Sequence, residues 1–122
     1  MLDANACILL LAGHDPVVAR AEGCDEGDLV ISAIAYAEVA VGSWNGKSPP
    51  LWLLGNLSRR IPILPFDELA ARQYAMLPFK LGSYDRLIGA HALALELTLI
   101  TANERHFADI PGLRFENWTL PL

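Results

Sequence analysis

The chain has 122 residues, 53% of them hydrophobic, which suits one domain with a single core and leaves no room for a second. No apolar run approaches the roughly 20 residues that a membrane-spanning helix needs, so we expect no membrane insertion. The formal net charge of −5 argues against broad binding to polyanions, although the clustered carboxylates of a metal site would count toward that total.

The opening of the chain bears on its compartment. Met1-Leu2-Asp3 carries a carboxylate where a secretory signal would carry Lys or Arg. Cys7 and Cys24 form neither a CxxC motif nor a dense framework, and we interpret them as small buried side chains. Both features predict a cytoplasmic protein.

The first half of the chain alternates helical and strand-like segments. Ser32 follows a β-branched run and can cap the helix after it, and Gly and Pro residues mark a loop at 44–50. The predicted elements are a helix capped by Asp15 with Pro16 at its first position and ending near residue 22, a strand at 29–31, and helices over 33–43 and 51–60. Before them, residues 9–11 are a compact apolar stretch to which we assign no element.

The second half repeats the alternation. Asp67, Ser83 and Asn103 each precede a helical pattern and can cap it. The predicted elements are a strand at 61–64, a helix from Asp67 to about residue 77, a helix over 84–96, a strand at 97–101, a short helix to about residue 109 and a strand at 113–118.

The strands are apolar throughout and alternate with helices. That pattern is typical of a parallel sheet covered on both faces. We therefore predict one α/β domain over residues 1–122, with three α/β/α layers and a sheet of four to five parallel strands.

Several acidic and amide side chains follow predicted strands. In open parallel sheets, ligands bind beyond the carboxyl ends of the strands. Asp3 would lie at that edge if Met1 and Leu2 form the end of a short first strand, and Asn103 follows a strand directly. Asp85, in the first turn of its helix, and Glu38, about two turns into its own, could lean over the same edge.

A pocket built from Asp3, Glu38, Asp85 and Asn103 would offer only oxygen ligands, which suit Mg²⁺ or Mn²⁺ far better than zinc. Each residue also has an ordinary alternative explanation. Asp85 can stabilise a helix start, Asn103 can be an N-cap and Glu38 can be solvated. Glu38 fits its alternative least well, because an isolated carboxylate among apolar neighbours costs free energy unless something pairs with it.

These segments together resemble the PIN-domain family, and within it the toxins of the VapC type. The likeness covers nearly the whole chain in order. It is carried by Asp3-Ala4-Asn5, Ile31-Ser32 through Ala37-Glu38, Pro65-Phe66-Asp67, Gly82-Ser83-Tyr84-Asp85-Arg86-Leu87-Ile88, Leu99-Ile100-Thr101-Ala102-Asn103 with His106-Phe107, Ile110-Pro111-Gly112-Leu113 and Glu116-Asn117-Trp118.

The resemblance implies an Mg²⁺- or Mn²⁺-dependent endoribonuclease that cleaves RNA phosphodiester bonds with metal-activated water, forms a homodimer and is inhibited by a VapB-type antitoxin. The chain departs from the family pattern in two places. Only Met1 and Leu2 precede Asp3, which makes the first strand very short. The fourth acidic position of many PIN domains is occupied here by Asn103, with Glu104 beside it.

On this hypothesis Asp3, Glu38 and Asp85 hold one or two cations directly or through water, and Asn103 or Glu104 completes the shell. Asn5 would hydrogen-bond a ligand carboxylate and fix its rotamer. Ser83 would cap its helix, contact the phosphate, or do both. The candidate phosphate contacts are Lys47, Lys80, Arg86 and Arg105, and we assign no catalytic role to His91 or His106.

Two other functions compete with this one. The first is a PIN-like binding module that has lost catalysis, which Asn103 in place of an acid would favour. The second is a phosphotransfer or phosphatase domain with Asp3 as phospho-acceptor. Such a domain usually has a second acid close to the first and a Lys after a late strand, and the residues after 97–101 provide neither.

Overall fold

The computed structural model describes residues 1–78 and 82–120. The chain order of the elements is α1 Ala4–Leu11, α2 Asp15–Glu22, β1 Ile31–Ser32, α3 Ala33–Trp44, α4 Leu51–Leu57, β2 Ile63–Leu64, α5 Glu68–Ala75, α6 Tyr84–Ala94, β3 Leu99–Ile100, a 3₁₀ turn Glu104–His106 and β4 Phe115–Glu116. The predicted alternation of helices and strands is confirmed.

The sheet is parallel, and Leu2 occupies its central strand position. β1 pairs with β2 and β3 pairs with β4, each in parallel. Leu2 forms parallel bridges with both Ile31 and Ile100 and so joins the two pairs into one sheet. The backbone bonds include Leu2 N–H to the Val30 carbonyl at 2.9 Å and Asp3 N–H to the Ile100 carbonyl at 2.9 Å. The predicted α/β architecture and short first strand are therefore confirmed.

The helix caps read from the sequence are present at three places. Ser32 accepts a hydrogen bond from Ile34 N–H, Asp67 from Ala70 N–H and Ser83 from Arg86 N–H. Such a side chain satisfies one of the backbone donors left open at the start of a helix, and so stabilises the beginning of α3, α5 and α6.

Several predicted boundaries are wrong. Helix α2 starts one residue earlier than expected, with Asp15 inside it and His14 at the cap position without a side-chain bond. Asn103 precedes a 3₁₀ turn instead of a helix to residue 109, and its side chain makes no cap bond. The strands extend over only two residues each.

Helix α1 is the one element that the sequence analysis left unassigned. It covers Ala4–Leu11, and the side chain of Asp3 caps it by accepting from Ala6 N–H at 2.8 Å. Its residues are apolar on nearly every face, so they carry no helical periodicity from which a helix could be recognised.

The core lies between the sheet and its helices. Leu2, Ile31 and Leu99 of the sheet are all fully buried. The helical side chains packed on this centre include Cys7, Val17, Ala35, Val39, Ile88 and Ala92. Within residues 1–78 and 82–120, no helix has the length and apolar character needed to cross a membrane.

A candidate site at the carboxyl edge of the sheet

Asp3 is the most buried of the candidate acids. It follows the central strand position and is 3% exposed. Its carboxylate accepts from Ala6 N–H at 2.8 Å and also bonds the Thr101 side chain, which follows β3. Burial raises the pKa of Asp3, and the two hydrogen bonds partly oppose that effect. The carboxylate is therefore anchored at the junction of the first strand and β3.

Glu38, in the second turn of α3, is the least satisfied acid. Its Oε1 atom is shielded from solvent and has no hydrogen-bond partner among the described residues. Burial is the main cause that raises its pKa, and the charges of Asp85 and Asp3 add to it. A shielded carboxylate oxygen without a partner costs free energy, and a proton or a cation can remove that cost.

Asp85, in the first turn of α6, shares this environment. Its charge raises the pKa of both Asp3 and Glu38. Its Oδ2 atom lies 2.7 Å from Nδ1 of His106. The structure thus brings the three predicted carboxylates close enough for their charges to affect one another, although Asp3 precedes α1, Glu38 lies in α3 and Asp85 lies in α6.

The spacing of these groups sets a limit on how they could hold an ion. Among the residues that the structure describes, no three His, Cys, Asp or Glu side chains are close enough to form a metal-binding group. The orphaned oxygen of Glu38 and the all-oxygen donor set still fit a hard cation held partly through water, which is how Mg²⁺ is usually bound.

The other candidate residues differ in their surroundings. Asn103 donates its backbone N–H to Thr101 Oγ1 at 2.9 Å, so it contacts the residue that bonds Asp3. Glu104 is exposed and accepts from Asn117 Nδ2 at 3.3 Å. Asn5 is exposed, and no hydrogen bond from its side chain to a candidate carboxylate is present in the described part of the chain.

A cavity of about 400 Å³ opens beside Asp85. Its lining residues are Gly82, Ser83, Asp85, Arg86, Arg105 and His106. Arg86 forms an ion pair with Asp109 at 3.2 Å, whereas Lys47 lies in the loop beyond the far end of α3 and Lys80 lies outside the described residues. Of the predicted phosphate contacts, Arg86 and Arg105 therefore line this cavity.

The sequence analysis missed two residues of this site. Thr101 bonds Asp3, and His106 bonds Asp85. Both belong to the segment that follows β3, so their place at the carboxyl edge could have been inferred. Their partners could not, because these contacts join distant parts of the chain.

The fold and the candidate site together define a class: a parallel α/β domain in which the charges of three acidic side chains act on one another. The family model of the PIN domain matches residues 1–113. The chain belongs to the PIN domain family, as the sequence resemblance indicated.

Curated relatives and solved structures agree with this assignment. The chain is 28% identical over 128 residues to tRNA(fMet)-specific endonuclease VapC of Shigella flexneri, covering 98% of this chain and 97% of that protein. It is 31% identical over 129 residues to Ribonuclease VapC2 of Rickettsia felis, covering 97% and 96%. The fold is similar to VapBC2 from Rickettsia felis bound to a DNA fragment from its promoter, with a TM-score of 0.81, 28% identity and coverage of 97% of each chain.

Proposed function

We propose that this protein is an endoribonuclease toxin of the VapC type that requires Mg²⁺ or Mn²⁺. The observation that carries the proposal is that a buried Asp3 and a half-buried Glu38, whose shielded oxygen has no partner among the described residues, both feel the charge of Asp85. These carboxylates repel one another when ionised, and a bound divalent cation would offset that repulsion.

The roles of the residues follow from their places. Asp3, Glu38 and Asp85 would hold the cation, with Asn103 or Glu104 at the edge of the shell. When bound, such a cation activates water and neutralises charge on the phosphate. Asp3 is pre-oriented by Ala6 N–H and Thr101, so its carboxylate needs little rearrangement.

RNA would enter through the cavity beside Asp85. Arg105 is exposed on its wall and is the better phosphate contact, because the guanidinium of Arg86 is engaged by Asp109 at 3.2 Å. Ser83 uses its hydroxyl oxygen to cap α6, and its O–H can still donate to a phosphate oxygen. The name of the Shigella relative makes tRNA(fMet) the first substrate to assay.

We further propose a cytoplasmic protein that forms a homodimer and is inhibited by a VapB-type antitoxin. The similar solved structures include VapBC from Salmonella typhimurium bound to DNA, with a TM-score of 0.81, and a toxin–antitoxin complex from Klebsiella pneumoniae, with a TM-score of 0.73. A catalytically inactive module remains the alternative. The mutual effect of the Asp3, Glu38 and Asp85 charges supports the enzyme.

The test replaces Asp3 with Asn and Glu38 with Gln in the full chain. We expect cleavage of RNA to fall at least about 100-fold in each variant, in both Mg²⁺ and Mn²⁺, and growth arrest on induction to disappear. Glu68→Gln is the matched control, because Glu68 is an exposed carboxylate on α5 paired only locally with Arg72. Cleavage by the Asp3 and Glu38 variants at the parent's rate would refute the mechanism.

A further inference from the structure

The 3₁₀ turn Glu104–His106 is docked on the first turns of α6 by two side-chain contacts. His106 Nδ1 lies 2.7 Å from Asp85 Oδ2. Three residues along, the two carboxylate oxygens of Asp109 accept from the Arg86 guanidinium at 3.2 and 3.4 Å. The turn and the helix therefore meet directly at the candidate ligand Asp85.

Buried residues fix the position of this turn. Phe107 is 0% exposed and Ile110 is 3% exposed, and both approach α6 at Gly89. A Cβ atom at residue 89 would lie 2.6 Å from Ile110 Cδ1 and 3.6 Å from Phe107 Cδ1. Close packing of this kind sets the backbone of His106, so its imidazole reaches Asp85 from an ordered position.

The hydrogen bond constrains the carboxylate that it contacts. A neutral imidazole with its proton on Nδ1 can donate to Oδ2, so the contact does not depend on the charge of His106. The donor occupies one oxygen of Asp85 and restricts rotation of the group, while the other oxygen keeps its lone pairs for a cation. Hydrogen bonds to ligand carboxylates orient metal sites in this way.

We propose that His106 is a positioning residue that holds the Asp85 carboxylate in place for the cation. The proposal rests on the proposed function, since it assigns His106 to the same site. In this scheme His106 is not a ligand of the cation, although its exposed ring also lines the cavity beside Asp85. Its effect on cleavage comes through the affinity of the site for the metal.

The experiment compares two substitutions of His106 in the full chain. His106→Asn keeps an N–H donor near the position of Nδ1, and His106→Phe keeps a ring but removes the donor. Asp109→Asn is the control, because it weakens the neighbouring tie to Arg86 and leaves the contact between His106 and Asp85. The dissociation constant of Mn²⁺ is measured by titration calorimetry, with melting temperature and RNA cleavage as further readouts.

We expect His106→Phe to raise the Mn²⁺ dissociation constant about 10-fold or more, the usual effect of removing such an orienting group. His106→Asn and Asp109→Asn should stay within about 3-fold of the parent, and metal-free melting temperatures should differ by only a few degrees. Cleavage by His106→Phe should recover when Mn²⁺ is raised in proportion to its weaker binding.

Three results would overturn the assignment of His106: parental Mn²⁺ affinity in His106→Phe, equal losses in His106→Asn and His106→Phe, or an equal loss in Asp109→Asn. Failure of the proposed function looks different. If Asp85→Asn binds Mn²⁺ as the parent does, or the parent binds none, the cation site is wrong and the role of His106 falls with it. If Asp85→Asn loses binding and His106→Phe does not, only the role of His106 is refuted.

Discussion

The carboxylate of Asp3 is both a helix cap and a candidate ligand, and these roles make different demands on its charge. Capping α1 requires only an oxygen that accepts from Ala6 N–H. Cation binding requires the ionised form, which burial disfavours and so raises the pKa of Asp3. Without metal, the ionised group should therefore reduce the stability of the folded protein.

We expect Asp3→Asn to increase the free energy of unfolding of the metal-free protein by about 1–2 kcal/mol at pH 7.5, the scale of an unfavourable buried polar group. The amide oxygen can still cap α1. The pKa of Asp3 is higher in the folded protein than in the unfolded chain. The ionised carboxylate therefore destabilises the folded protein fully above the folded pKa, and this destabilisation disappears as pH falls toward the pKa of the unfolded chain. Urea titrations in EDTA at pH 7.5 and pH 5 measure this, and a variant less stable than the parent at pH 7.5 would contradict it.

His91 shows the opposite pH dependence. It is 2% exposed, its Nδ1 lies 2.9 Å from Ser32 Oγ, and its ring meets the Phe66 ring edge-on with centroids 5.4 Å apart. Burial lowers the pKa of His91, and the nearby Asp67 only partly opposes this. The imidazole is therefore a packed, neutral part of the core.

In the unfolded chain the pKa of His91 is about 6.5, and in the folded protein it is lower. The stabilising contribution of His91 is therefore complete above pH 6.5 and is lost as pH falls toward the folded pKa, because only the unfolded chain takes up the proton in that range. His91→Asn should cost about 1–3 kcal/mol at pH 7.5, because it leaves space in the core. The difference in free energy of unfolding between His91→Asn and the parent should be smaller at pH 5.5 than at pH 7.5. Asp3 and Glu38 titrate in both proteins and cancel in that difference, so a constant difference across this range would refute the prediction.

At the level of elements, the close approach between α6 and the segment after β3 depends on a residue without a side chain. Gly89 lies one turn beyond Asp85 on α6, and Ile110, Leu113 and Phe107 all approach it. Gly in the middle of a helix normally costs about 0.5–1 kcal/mol relative to Ala. Here the absence of Cβ permits the packing that brings the 3₁₀ turn to the candidate site.

Gly89→Ala and Gly55→Ala form a matched pair of helix substitutions. A Cβ at residue 55 of α4 meets nothing within 4 Å, so we expect Gly55→Ala to stabilise the protein by about 0.5–1 kcal/mol. Gly89→Ala should instead destabilise it by about 1–2 kcal/mol and weaken Mn²⁺ binding, because buried Ile110 must move. Thermal unfolding of both variants measures these effects. If both substitutions stabilise the protein, Ile110 and the segment after β3 move away from a Cβ at residue 89 at little cost, and the prediction is wrong.

Element types were more predictable than element lengths. Segment 97–101 is apolar and β-branched, which indicates a strand, but only Leu99–Ile100 pairs with β4. Strand length depends on which neighbours supply backbone hydrogen bonds, and those neighbours are distant in the chain. The apolar sequence of α1 indicated burial without indicating its secondary structure, because it lacks a polar face.

At the scale of the whole molecule, several large apolar side chains of α3 and α4 are exposed to solvent. Trp44 at the end of α3 and Trp52 at the start of α4 are 78% and 70% exposed, and Val41 and Leu51 are also exposed. Exposed aromatic side chains are enriched in protein interfaces. These side chains are therefore candidates to test for a contact with the proposed antitoxin.

We expect Trp44→Ser combined with Trp52→Ser to weaken binding of the co-expressed antitoxin at least 10-fold, since aromatic residues dominate interface energies. RNA cleavage by the isolated toxin should not change. Leu69→Ser in α5, combined with Met76→Ser directly after that helix, is the control for loss of exposed apolar surface. Chromatography with light scattering measures the complexes. If the double variant binds the antitoxin as the parent does but changes its own oligomeric state, Trp44 and Trp52 contact a second copy of the chain instead.

The sequence by itself indicated the order of every element except α1, the caps Ser32, Asp67 and Ser83, and the family, and it supplied the acids as candidates. The caps are local: the hydrogen bond of Ser83, for example, reaches only three residues along the chain. Tertiary structure decided the surroundings of the candidate acids. His106 reaches Asp85 across 21 residues, and Glu38 acquires a shielded oxygen that has no partner within residues 1–78 and 82–120. Burial and contact between distant segments arise only when helices pack on a sheet, so no local pattern specifies them.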